Sequence, residues 1–147
     1  MLGCLESCRV RRCLTVDAKV LSEPTKPQPD SRVVDWLTNH ESDRVVDAII
    51  VGELRLGILL LPAGAKRQKL EAWLDGGVQR LHCVSWDGAT GATWASLLAT
   101  LRRKGIAMPI KDSLIAATAL HHDFTVVTRN AGDFTKAGVH VLDPFSA

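Results

Sequence analysis

The chain has 147 residues, a net charge of +2, 46% hydrophobic residues and 23% charged ones. That length suits a domain with one hydrophobic core, and so small a net charge excludes a protein that holds nucleic acid by bulk basicity. No apolar run approaches the roughly 18 residues that a bilayer span requires. Cys, Glu and Arg interrupt the N-terminus, MLGCLESCRVRRCL, so it lacks a secretory core; a cytoplasmic protein with no membrane partner is expected. Basic residues cluster at Arg9/Arg11/Arg12, Lys66/Arg67/Lys69 and Arg102/Arg103/Lys104. Each cluster reads equally as a solvated helix face or as a rim attractive to phosphate. The spacing of Cys4, Cys8, Cys13 and Cys83 fits no common zinc pattern.

Residues 1–12 show no period and are expected to be an N-terminal extension, disordered or set by an upstream start, before a single domain over 13–147. Cys13–Val16 reads as a short buried strand ending at Asp17. Val20–Glu23 begins a helical turn that Pro24, Pro27 and Pro29 stop. Asp30 or Ser31 caps a helix running to about Asn39, with Val33, Val34 and Leu37 as its apolar stripe. Arg44–Val51 is the second strand, with Asp47 near one end or on an exposed face. Glu53 follows on the first turn of an apolar helix that Pro62 ends. Ala65–Asp75 is helical, and Val78–Ser85 is a third strand. Asp87 caps a long helix in which Trp94, Leu97, Leu98 and Leu101 recur at i, i+3, i+4 and i+7. The stretch PIKDSLIAATALHHDFTVVTRNAGDF then gives a helix opened by Asp112, a strand Phe124–Thr128, a polar turn and Asp133. Val139–Leu142 is the last strand. Near-continuous apolar strands alternating with helices predict an α/β fold, a parallel sheet covered on both faces.

Ligands in such folds bind beyond the carboxyl ends of the strands. Asp17 ends the first strand, Glu53 follows the second, Asp112 opens the helix that feeds the fourth, and Asp133 lies just past it. Each alone is readable as a cap or an ordinary loop acid. Gathered together they would repel one another unless a cation neutralised them, and oxygen-only ligands suit Mg²⁺ or Mn²⁺. Ala116 and Ala119, one and two turns beyond Asp112, are small, which leaves room over that end of the helix or merely permits close packing.

The segments VDAKVLSEP, VGELRLGI, IKDSLIAATALHHDFTVVTRNAGDF and VHVLDPF, spread from Cys13 to Phe145, together resemble the PIN-domain ribonucleases. They are most similar to the VapC- and FitB-like toxins of type II toxin–antitoxin systems. The resemblance implies a three-layer α/β/α sandwich on a central parallel sheet and a Mg²⁺- or Mn²⁺-dependent endoribonuclease. It places the metal-binding, catalytic acids at Asp17, Glu53, Asp112 and Asp133, with Thr128, Asn130 and Glu23 in support. It also implies a cognate VapB-like antitoxin, whose C-terminal segment covers the acids, an RNA substrate and a homodimer. Leu59–Leu61 and the helix bearing Trp73 are candidate surfaces for these contacts, or part of the core. One departure stands out: the family's first motif, D-T-N-V-L, is here Asp17-Ala18-Lys19-Val20-Leu21. The usual hydroxyl and amide are gone, which weakens support for the metal; Lys19 either pairs with Asp17 or Glu23, competing with the metal, or contacts RNA phosphate, and Arg129 is a second candidate RNA contact. The alternative function is therefore a catalytically weakened PIN fold that binds RNA or protein. A haloacid-dehalogenase site, which needs D-x-D, does not fit Asp17-Ala18-Lys19.

Overall fold

A computed structural model describes residues 13–146; the expected extension over 1–12 lies outside the described residues. Five short strands form one all-parallel sheet: β1 (Leu14–Val16), β2 (Arg44–Asp47), β3 (His82–Val84), β4 (Thr125–Val127) and β5 (His140–Leu142). Their spatial order is β3-β2-β1-β4-β5. Seven α-helices among the described residues flank the sheet: α1 (Ala18–Leu21), α2 (Ser31–Asn39), α3 (Ala48–Leu59), α4 (Ala65–Gly76), α5 (Gly88–Arg103), α6 (Ile110–His122) and α7 (Ala131–Lys136). The architecture is the expected α/β/α sandwich.

Parallel strands need crossover connections, and the crossing helices cover the faces of the sheet. This accounts for strands that are apolar at consecutive positions. Val45 and Val46 in β2, and Val126 and Val127 in β4, are all buried, as are Thr15 and Val16 in β1. The chain winds outward from β1 to β2 and β3, then returns to place β4 on the other side of β1. That reversal makes the carboxyl ends of β1 and β4 a topological switch point, where open α/β sheets leave a crevice. Helix α6 packs closely through Ala116 and Ala119, which are fully buried in the core. Gly105 has φ +69° just past α5 and lets Ile106 N–H return to the Leu101 carbonyl at 2.9 Å, ending the helix.

Three sequence expectations need correction. The second strand stops at Asp47, because that carboxylate accepts from Ile49 N–H at 2.7 Å and N-caps α3. Of the two placements expected for Asp47, the strand end is the one observed, and there it is fully buried; Ile49, Ile50 and Val51 are helical despite their strand propensity. Glu53 consequently lies on the second turn of α3, not its first. The third strand is shorter than Val78–Ser85, since Val78–Arg80 forms a 3₁₀ turn before His82. Helix α1 begins directly after Asp17, whose side chain accepts from Ala18 N–H at its N-terminus.

Candidate functional site

Asp17 stands where β1 gives way to α1, and both of its oxygens are engaged. Oδ1 accepts from Ala18 N–H at 2.8 Å, and Oδ2 accepts from the Thr128 hydroxyl at 2.9 Å. Thr128 is fully buried at the end of β4. Its hydroxyl oxygen also accepts from Asn130 N–H at 3.0 Å, fixing the turn into α7. One side chain thus ties the carboxyl ends of the two central strands together. The hydroxyl that supports Asp17 comes from across the switch point.

Asn130 extends the same network. Its Nδ2 donates to Asp133 Oδ2 at 2.8 Å and lies 3.4 Å from Asp112 Oδ2. Asp112 is on the first turn of α6, whose N-cap position is Pro109; the aspartate makes no capping bond, so the plain capping role is not what holds it there. Asp17, Glu53 and Asp112 line one open cleft of about 550 Å³, with Lys19, Pro109, Lys111, Arg129 and Asn130. Asp133 joins them through Asn130 and lies 3.7 Å from Lys136 Nζ.

Crowding shows in the electrostatics. Burial pushes the Asp17 carboxyl above its ordinary range, against the pull of Thr128 and Ala18. Burial also raises Asp112, reinforced by the charges of Asp17 and Asp133. Glu53 is paired with a lysine that the sequence reading passed over: Lys111 Nζ reaches Glu53 Oε1 at 2.7 Å. In sequence Lys111 is only a polar residue at a helix start, 58 positions from its partner, and no local signal marks it.

One expected participant is held elsewhere, and a second is engaged at its far side. Glu23 is buried after α1, where its carboxylate binds Asp30 N–H at 3.0 Å and Lys26 Nζ at 2.7 Å. Those contacts shape the proline-rich loop, and the Glu23 side chain does not line the cleft. Arg129 lines the cleft but lays its guanidinium over the Phe145 ring, 4.6 Å from the centroid, as arginine does on aromatic faces.

The donor set suits a hard divalent cation: carboxylate oxygens with no sulfur or imidazole. Glu53 Oε2 adds to the fit, being buried and without a hydrogen-bond partner. As the side chains stand, no three His, Cys, Asp or Glu groups among the described residues are arranged to hold a metal ion. Glu53 is drawn into its pair with Lys111, and Asp133 toward Asn130 and Lys136.

Residues 14–139 match the model of the PIN domain family. The chain belongs to that family. It is 37% identical to the toxin FitB of Neisseria gonorrhoeae, over 90% of this chain and 98% of that one. It is 35% identical to the plasmid stability protein StbB of Pseudomonas syringae, over 91% and 99%. A VapC ribonuclease of Sinorhizobium fredii is 32% identical over 90% and 97%. Among solved structures, FitAcB from Neisseria gonorrhoeae superposes with a TM-score of 0.85 at 36% identity, covering 91% of this chain and 99% of that one. The PIN chain therefore shares its whole described fold with toxins of this kind.

Proposed function

We propose that the chain is a Mg²⁺- or Mn²⁺-dependent endoribonuclease and acts as the toxin of a toxin–antitoxin pair. The observation that carries the reading is convergence. In a PIN domain whose relatives are named toxin and ribonuclease, acids from separate segments of chain meet at the switch point of the sheet. Asp17, Asp112, Glu53 and Asp133 would hold the cation. It would supply Lewis-acid activation of water and neutralise charge developing on the phosphate. The chain's own residues do the rest. Thr128 and Ala18 N–H fix the direction of Asp17, while Asn130 holds Asp133 beside Asp112. Lys19 and Arg129, on the rim of the cleft, position the RNA backbone by charge. An unstacked loop fits an open cleft of this kind better than a duplex.

The partner proposed is a VapB-like antitoxin. An apolar groove lined by Leu54, Ile58, Leu61, Leu70 and Trp73 runs into the acid cleft through Lys19 and Glu53, which border both. Leu59 and Leu60 beside it are 50% and 77% exposed, a surface suited to a partner. The toxin would also pair with a second copy of itself as a homodimer. A stable monomer in light scattering at micromolar concentration contradicts it.

A second reading, a PIN fold that binds RNA without cutting it, draws on Lys19 in place of an amide and on the acids not standing as a ready metal site. Incubation of RNA with the purified chain separates the two. Cleavage in Mg²⁺ that disappears in EDTA supports the enzyme; RNA retained intact under both conditions supports the binding module.

A further inference from the structure

The acid cleft carries a cation of its own. Lys111 Nζ donates to Glu53 Oε1 at 2.7 Å, joining the first turn of α6 to the second turn of α3. The other oxygen of Glu53 is buried without a hydrogen-bond partner. The lysine side chain is 53% exposed and the glutamate only 25%, so the lysine end of the pair is the one free to leave. Lys19, the other lysine of the cleft, makes no ion pair among the described residues. A divalent ion ligated by Glu53 and an ammonium on the same carboxylate would repel each other at close range, so binding of one opposes binding of the other.

We infer that Lys111 is a built-in counter-ion: it holds Glu53 away from the metal position and competes with an incoming divalent cation for that carboxylate. The inference rests on the reading of the acids as a divalent-metal site. In the metal-free protein, Lys111 offsets part of the carboxylate repulsion. When the ion enters, Lys111 swings out, and its flexible stem leaves the ammonium at the mouth of the cleft. A lone helix-surface lysine would do neither.

The test is Mn²⁺ binding, read from the EPR signal of free Mn²⁺, with the melting temperature of the metal-free protein as a second readout. Lys111→Met should bind Mn²⁺ about tenfold more tightly, the order of one charge-assisted hydrogen bond removed from competition. Its metal-free form should melt lower than wild type. Lys19→Met, which removes a screened charge from the same rim, should change the affinity by less than about twofold. In a Glu53→Gln background the Lys111→Met gain should disappear. The inference is overturned if Lys111→Met binds no tighter, if Lys19→Met gains as much, or if the gain survives without Glu53. Lys111→Gln makes the same comparison where the methionine variant does not fold. Wild type that binds Mn²⁺ no better than Asp112→Asn means the metal reading itself has failed, a result visible before any lysine variant is compared.

Discussion

Asp112→Asn should make the metal-free protein more stable while removing its response to Mn²⁺. Burial, and then the charges of Asp17 and Asp133, hold the Asp112 carboxyl above its ordinary value of 3.8. A carboxyl whose pKa is higher folded than unfolded favours the fold while protonated. That contribution is complete below the unfolded value and is lost as pH rises through the raised folded value. At pH 7 the ionised group therefore opposes folding, and a neutral amide of the same shape relieves the repulsion. Asp112 is half-buried, so solvent screens the effect to about 0.5–1 kcal/mol. For a chain of this size that is a rise of roughly 1–4 °C in Tm. With Mn²⁺ at a hundred times its Kd, the wild type gains about 2.7 kcal/mol, which exceeds the variant's advantage, so the order of melting reverses. Thermal denaturation at pH 7, in EDTA and in Mn²⁺, reads both halves. Below about pH 4 the wild type is protonated too and the difference in EDTA should vanish. A variant that melts lower than wild type in EDTA, or gains as much from Mn²⁺, refutes the reasoning.

Thr128→Val removes the donor to Asp17 and the acceptor for Asn130 N–H. It should weaken Mn²⁺ binding by about 10–100-fold and cost about 1–3 kcal/mol of stability, read by metal titration and denaturant unfolding; unchanged affinity would show that Asp17 needs no such support. Asp47→Ala should lose about 1 kcal/mol through the missing cap of α3. Asp47→Asn should match or exceed wild type at pH 7, because burial raises the Asp47 pKa and disfavours its charge; a loss in the Asn variant as large as in Ala speaks against that sign.

The sheet was legible because parallel strands covered on both faces are buried at consecutive positions, as the central strands β1, β2 and β4 are, while the edge strands β3 and β5 are more open. Asp17, Asp112 and Asp133 were legible because each sits at a change from one element to the next, where the winding of the sheet brings carboxyl ends together. Asp47 shows where such reading fails. In RVVDAIIV, β-branched residues on both sides suggest one strand, but a buried aspartate with a free amide two residues ahead starts a helix instead, moving Glu53 along by a turn. Glu23 was displaced by a local use, bonding the loop that follows it. Lys111 was illegible in principle. Its partner is set by how α3 and α6 cross, and tertiary packing alone decides that. Thr128, expected in support of the acids, reaches Asp17 from 111 residues away, a contact that only the pairing of β1 with β4 creates.

The central claim, that these four acids form one divalent-metal centre, is met most directly by anomalous diffraction from crystals grown with Mn²⁺. The account predicts a manganese peak at the carboxyl ends of β1 and β4, within bonding distance of Asp17 and Asp112, with Lys111 withdrawn from Glu53. A protein saturated with Mn²⁺ that shows the metal only elsewhere, with Lys111 still on Glu53, would contradict it.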